Sequence, residues 1–283
     1  TRDNKEALVQ AFTYLGLDTS ADPIAVVSDF TNEDTFSHFS PRIGVEYQAS
    51  NDLMLYSSYS QGFKSGGFNM RAKQDVDPQG AHLPFKEEIV NTYELGFKSE
   101  LWQQRLRLNG ALFYSDYQDM QVTSTSLRDK DGDGALDTPV QVVVNAGEAT
   151  IRGVELEAQA VLSDALSLTM NLGYLDAQFD EFTGIDPLTG QPANFADTKK
   201  ISSTPELSAY LAANYETRLG DYGDLVVTAS ASHRGESYIF EEPSALDEDS
   251  YTLMDLSLMF YADSGDWTLG LHGKNLTDKQ VRL

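Results

Sequence analysis

Polar and apolar residues alternate along most of this chain. From Val154 the even positions of 152–162 are apolar (Val154, Leu156, Ala158, Ala160, Leu162), while the odd ones are Gly153, Glu155, Glu157 and Gln159. The same period of two runs through 166–174, where Leu166, Leu168, Met170, Leu172 and Tyr174 alternate with Ser167, Thr169, Asn171 and Gly173. It recurs in 105–114, 207–215, 225–231, 254–260, 267–271 and 93–97, and more weakly around Ile43, Val45, Tyr47, Leu53 and Leu55. Successive side chains of a strand point to opposite faces, so the pattern predicts about ten strands, each with one apolar and one polar face. Helical periodicity is hard to find beyond the N-terminal segment, where Lys5 to Phe12 fits either a short helix or irregular chain.

The connections alternate in length. Short turns fall at 49–52, 100–104, 163–165, 218–223 and 263–265, and long loops at about 64–87, 126–140, 180–203 and 238–249. In an up-and-down meander this puts the short turns at one end and the long loops at the other, as in outer-membrane barrels. Alternation alone leaves open which face meets water: a soluble barrel or sandwich buries its apolar face, and a membrane barrel turns it to lipid. Run length bears on the choice. A tilted spanning strand needs roughly 9–11 residues, against about 5–6 for an ordinary strand, and the longer runs here reach the first figure. Aromatics near the run ends (Tyr47, Tyr56, Tyr59, Phe63, Phe97, Trp102, Phe113, Tyr114, Tyr174, Tyr215, Phe260, Tyr261, Trp267) suit interfacial girdles, although strands favour aromatics in any case. Glu94, Lys98, Arg105, Arg107, Glu155, Glu157, Glu206 and Arg234 fall on the polar face and would crowd a narrow interior. They call for a wide lumen filled by water or a plug.

Composition then removes several functions. The 283 residues include 20 Lys and Arg against 44 Asp and Glu, a net charge of −24, so the chain would repel nucleic-acid phosphate. Without cysteine there is no disulfide framework, thiolate metal site or thiol nucleophile. No apolar run is long enough for a transmembrane helix.

Six segments, in order, resemble the C-terminal part of the β-barrel of a TonB-dependent outer-membrane receptor. The first runs from Phe39-Ser40-Pro41-Arg42 to Tyr47, and the second from Leu55-Tyr56-Ser57 through Gln61-Gly62-Phe63-Lys64-Ser65-Gly66-Gly67-Phe68-Asn69. Tyr93-Glu94-Leu95-Gly96-Phe97-Lys98-Ser99 and Ala111-Leu112-Phe113-Tyr114 through Gln121 follow. Then come Asn145-Ala146-Gly147-Glu148-Ala149 with Gly153-Val154-Glu155-Leu156-Glu157, and finally Lys274-Asn275-Leu276-Thr277-Asp278-Lys279. The resemblance implies an all-β, antiparallel barrel of about 22 strands in the Gram-negative outer membrane, with an N-terminal plug. It also implies drive by a TonB-type energy-coupling complex through that plug, and no enzymatic activity. The plug, the first half of the strands and the last strand are not in this sequence, so the expected object is a partial barrel: 1–33 mostly outer loop, and 34–283 carrying the strands. The implied function is energy-coupled uptake of a scarce chelated nutrient, a ferric siderophore being the commonest cargo. A passive porin or other structural outer-membrane barrel, and a secreted soluble calcium-binding β-domain, are the alternatives.

Candidate sites lie in the long loops. Asp129, Asp131 and Asp133 occupy positions one, three and five of a calcium loop, with Gly134 at six and Asp137 at nine. Val140 takes the place of the bidentate Glu at twelve, so the choice lies between a weak Ca²⁺ site and an acidic solvated turn. Lys64, Phe68, Asn69 and Arg71 could meet an anionic ligand, or the segment could be a turn packing Phe63 and Phe68 on the wall. His38, His82, His233 and His272 are scattered and read as surface or lumen residues. No cofactor is required. The acidic runs Glu241-Glu242 and Asp247-Glu248-Asp249 suggest an outward surface where divalent cations bridge to lipopolysaccharide, or charge that keeps the loop solvated.

Overall fold

The computed structural model describes residues 2–13, 25–69, 83–129, 138–186, 189 and 191–281. Strands β1 (Arg2–Thr13) and β2 (Ala25–Ser37) pair as a hairpin of their own. The main sheet starts with β3 (Arg42–Ser50) and β4 (Leu53–Lys64). The short β5 (Gly67–Phe68) and β6 (Pro84–Phe85) pair with each other. There follow β7 (Glu88–Leu101), β8 (Leu106–Arg128), β9 (Thr138–Val161) and β10 (Leu166–Ile185). Then come β11 (Pro192–Asn194), β12 (Leu207–Arg218), β13 (Gly223–Arg234), β14 (Tyr251–Ala262) and β15 (Thr268–Gly273). The sheet has eleven strands in the order β15-β14-β13-β12-β10-β9-β8-β7-β4-β3, with β11 attached to β10 alone. Setting β11 aside, these are the strands that the alternation predicts, each antiparallel to its chain neighbour.

Register decides which residues share a face, because directly paired residues point the same way. Leu95 pairs with Leu112, Leu112 with Val154, Val154 with Tyr174, and Tyr174 with Leu207. A second apolar row runs Met170–Leu211–Ala231–Met254, and a third Leu166–Tyr215–Val227–Leu258–Leu271. No second layer covers these rows among the described residues. Leu95 is 57% exposed, Leu211 50% and Leu271 67%. The sheet is thus a single layer whose apolar face is bare, which is how a strand wall meets acyl chains. The opposite face carries Glu94, Lys98, Arg107, Glu155, Glu157 and Arg234 by the same register, in agreement with the polar interior.

Four expectations need correction. Lys5 to Phe12 is strand, not helix, since each residue from Arg2 to Thr13 has a partner in β2. Cross-strand pairing outweighs the helix preference of so short a stretch. The hairpin pairs apart from the main sheet. Tyr56 and Phe113 belong to the polar face and not to a girdle: a Cβ on Gly96 would lie 2.5 Å from Tyr56 Cζ, and one on Gly153 would lie 2.6 Å from Phe113 Cζ. Glu206 is not on the inner face, because it accepts the Tyr174 hydroxyl at 3.0 Å beside the outward row. Finally, the loop expected at 126–140 narrows to 129–137, because β8 and β9 stay paired out to Arg128 and Thr138.

The outward aromatics do form belts. Tyr59, Tyr93 and Tyr114 are successive direct partners near the long-loop end. Trp102, Tyr222 and Trp267, all more than half exposed, sit in short turns at the other end. Trp102, Gln103 and Gln104 have φ of 54°, 58° and 67°, three left-handed residues in a row that reverse the chain between β7 and β8.

Candidate functional site

Strands of 20 to 24 residues, as in β8, β9 and β10, exceed what a bilayer needs and carry the sheet well past the outward tyrosines. Their upper parts bear the largest buried apolar cluster among the described residues: Val122, Ala149, Phe179, Phe182 and Ile201, flanked by Tyr117, Met120, Ile151 and Phe195. Ala149 pairs with Tyr117 and Phe179, on the inward side of the sheet. A register shift between Phe179 and Glu181 brings Phe182 round to the same side, and the two rings meet edge to face at 5.1 Å. The covering layer comes from the β10–β12 connection, in which β11 folds back on β10 and a 3-10 turn (Ala196–Thr198) leads to Ile201. This connection is therefore a shelf packed over the inner face at the mouth.

Polar bonds fasten the shelf to its neighbour. Lys199 Nζ lies 2.5 Å from Glu242 Oε1 and 5.2 Å from the centre of the Phe182 ring. Lys200 donates its backbone N–H to the Glu241 carbonyl, and Ser203 donates to the Tyr238 carbonyl. The Lys199 ammonium holds the Glu242 carboxyl below the ordinary carboxylate range. Asp247 is lowered by the backbone N–H groups of Ser244 and Ile239, which close the β13–β14 connection on itself. Tyr238 is raised, chiefly by burial and next by Glu236.

A second fastening joins the β4–β7 connection to the sheet. The Gln121 side-chain amide donates to the carbonyls of Ser65 and Lys86, each at 3.0 Å, and Asn145 donates to the Lys86 and Asp119 carbonyls while accepting the Lys86 N–H. Two amides thus hold the two ends of a long connection whose middle, 70–82, lies outside the described residues.

The sequence-derived candidates fall unevenly on this frame. Lys64 ends β4 and is exposed, and Asn69 is half-buried directly after β5. Phe68 is 8% exposed in the β5–β6 pair, which fits the packing reading of that segment. Arg71 lies outside the described residues. So do Asp131, Asp133 and Asp137, while Asp129 follows directly on β8. Lys199, Lys200, Phe182 and Ile201 drew no attention in the sequence, where 180–203 reads only as a loop. A period-breaking Phe179–Phe182 pair at a strand end was the available signal.

Three recesses stand out among the described residues, including one of about 400 Å³ near the short-turn end with Arg105, Arg107 and Gln159 in its lining. A second, of about 250 Å³, lies on the wall among Arg107, Asn109, Glu157, Gln159, Thr169 and Asn171. Another of about 920 Å³ lies between the β13–β14 connection and the chain after β15, with Glu236, Tyr238, Asp247 and Lys279 in its lining. Among the described residues no three His, Asp or Glu side chains are grouped to hold a metal ion. The arrangement can bind and position a solute at a guarded mouth.

Comparison with known proteins agrees with this geometry. A family model described as TonB dependent receptor-like, beta-barrel, matches residues 12–276. The metal-pseudopaline receptor CntO of Pseudomonas aeruginosa (strain UCBPP-PA14) is 27% identical over 252 residues, covering 89% of this chain and 31% of that protein. The pesticin receptor of Yersinia pestis is 25% identical over 243 residues, covering 85% of this chain and 31% of its own length. Among solved structures, the ferric yersiniabactin uptake receptor FyuA from Yersinia pestis superposes with a TM-score of 0.62 at 22% identity, over 89% of this chain and 33% of that one. The ferric-catecholate import receptor Fiu from K12 E. coli gives 0.63 at 18% identity, over 98% and 37%. The chain therefore spans about a third of the length of the proteins it matches.

Proposed function

This chain belongs to the TonB-dependent receptor-like β-barrel family, and from that membership we propose that it forms part of the wall and mouth of a receptor importing a scarce metal chelate, first of all a ferric siderophore. It resides in the outer membrane of a Gram-negative bacterium. The observation that carries the reading is the single-layer sheet: apolar rows bare on one side, charged and amide side chains on the other, and a folded shelf over the inner mouth. A secreted soluble domain would cover those rows. A passive pore has less use for a packed shelf across its entrance. Energy would reach the mouth from a TonB-type complex through a plug domain seated in the polar lumen, and transport requires no covalent step.

In this reading Lys64 and Arg71 supply positive charge for an anionic chelate and Asn69 adds a hydrogen-bonding amide, while Phe68 stiffens the segment from beneath. The 129–137 tip, with Asp129, Asp131, Asp133 and Asp137, is a weak Ca²⁺ site. Of the acidic runs at 241–242 and 247–249, Glu242 is held by Lys199 and Asp247 by the Ser244 and Ile239 backbone, so Glu241 and Asp249 are the carboxylates offered to divalent cations that bridge to lipopolysaccharide.

Uptake decides the main proposal. A strain lacking the gene should lose growth on one or more ferric chelates as sole iron source and regain it on complementation. Unchanged growth across a panel of chelates would reject iron transport. Replacing Lys64 and Arg71 together with Ala should weaken chelate binding about 10-fold or more, as for the loss of charge-assisted hydrogen bonds. For the acidic tip, calorimetry with Ca²⁺ up to the millimolar range typical of weak extracellular sites tests the ion directly, and no heat of binding would dismiss it.

A further inference from the structure

The lipid-facing side of the wall carries its charge in one place. Register sorts the paired positions of β3, β4, β7 to β10 and β12 to β15 into two faces. Up to the register shifts of β8 and β10, the outward face bears three Lys, Arg, Asp or Glu side chains among the described residues: Asp116, Arg152 and Asp176. They stand on three neighbouring strands in two adjacent rows. Tyr59, Tyr93, Tyr114, Arg152 and Asp176 are successive direct partners, and Asp116 pairs with Thr150 in the row above. Asp116 and Asp176 are each the next outward residue after an exposed tyrosine, Tyr114 and Tyr174. Two residues of strand advance about 7 Å, so the patch begins where the apolar rows end.

Arg152 is oriented by one neighbour and open to a second. Its Nε and Nη2 both donate to Asp176 Oδ2, at 2.9 and 2.7 Å, which fixes the plane of the guanidinium and uses two of its five N–H groups. The Arg152 side chain is 58% exposed, against 34% for Asp176. The acids on either side have donors of their own: Gln118 Nε2 donates to Asp116 at 2.9 Å, and the Tyr174 hydroxyl to Glu206 at 3.0 Å. A charge facing hydrocarbon is costly, and the cost falls away near the interface. An outward face without charge among its apolar rows, and with charge just beyond its tyrosines, therefore marks headgroup depth. At that depth the abundant anion is phosphate. A guanidinium matches it with paired, planar donors and gives up its own water readily.

We propose that Arg152, held in position by Asp176, binds the phosphate of a phosphorylated glycolipid of the outer leaflet, beside Tyr114 and Tyr174. The patch continues the apolar face that lipid covers, and Arg152 is the one outward Lys or Arg of these wall strands among the described residues, so a lipid phosphate has a single place to dock. The outer leaflet follows from the side on which the long loops lie. The site rests on the lipid-facing orientation in the proposed function and not on the cargo.

Native mass spectrometry of the full-length protein in mild detergent tests it, with diphosphoryl lipid A and the same glycolipid stripped of its phosphates as probes. Millimolar Mg²⁺ is kept throughout, because the carboxylates around Arg152 outnumber it and would repel phosphate unscreened. The unaltered protein should hold the phosphorylated form about 10-fold or more tighter, the worth of a charge-assisted pair. Arg152→Gln should abolish that preference, and Arg152→Lys should keep part of it. Arg107→Gln removes the same charge from the opposite face and should leave the preference intact. Heat-resistant migration on gels establishes that each variant is folded. A preference that survives Arg152→Gln, or that falls equally in Arg107→Gln, would overturn the site, as would tighter binding of phosphatidylglycerol than of lipid A. A protein that shows the preference yet imports no chelate supports the site and sinks the transport reading alone, and import without the preference does the reverse.

Discussion

Several glycines in this sheet have an aromatic ring where a side chain would be. Tyr56 covers Gly96, Phe113 covers Gly153, and Phe97 covers Gly110 on the opposite face. A ring lying over a glycine restores packing that the glycine cannot provide and pins the register of the two strands. Gly96→Val should displace Tyr56 and cost about 1–3 kcal/mol, the usual penalty for overfilling a packed site. Urea titration of the folded protein in detergent would read this as a lower midpoint. The sequence displays the glycines but not their covers. Gly96 and Tyr56 are forty residues apart in number and adjacent only through pairing, so single-strand alternation cannot reveal the cover, and nearness to a run end wrongly assigned Tyr56 and Phe113 to the girdles. Titration acts at this scale too. Glu242 and Asp247 are held below the usual carboxylate range, by Lys199 and by the Ser244 backbone respectively. Groups depressed on folding lend their stabilisation above the unfolded value and lose it as pH falls through the folded one. The β13–β14 connection should therefore loosen on acidification below about pH 4. Limited proteolysis at 236–249 should show new cleavage there, and Asp247→Ala should produce it at neutral pH.

Elements were legible where they repeat and obscure where they do not. Strands β7 to β10 and β12 to β15 follow from alternation, because each buries nothing on one side and must present a uniform stripe. The β1–β2 hairpin did not follow, since Lys5 to Phe12 lacks such a stripe and owes its conformation to a strand whose residues lie 14 (Phe12↔Val26) to 29 (Lys5↔Asp34) positions further on. The shelf was invisible for a similar reason: Ile201 and Phe195 look like isolated apolar residues in a loop until the strand bulge turns Phe182 toward them. Phe182→Ala should cost the shelf about 3–5 kcal/mol of local stability, as for an emptied aromatic site. Protease should then cut within 192–206 while the heat-resistant migration of the barrel on gels is unchanged.

At the scale of the whole molecule the decisive property is the sign of the faces. Alternation left it open, and run length, turn asymmetry and family resemblance together pointed to the reading that the exposed rows bear out. Leu95→Arg, on the bare apolar row, should cost about 2–4 kcal/mol near the bilayer midplane. Thr169→Arg, on the opposite face beside Gln159 and Asn171, should be close to neutral. Comparing the amounts of each variant recovered in outer-membrane fractions checks the pair, and equal recovery would contradict the assignment of faces. What remained out of reach of the sequence, the identity of the solute, depends on loops whose composition obeys no periodic rule.

The missing second layer has a consequence for biogenesis. Most proteins carry their own shelter from water, but this ribbon borrows it from lipid. Between synthesis and insertion its greasy side has nothing to lie against, so the newly made chain must travel under escort and be handed to the membrane before it finds another copy of itself.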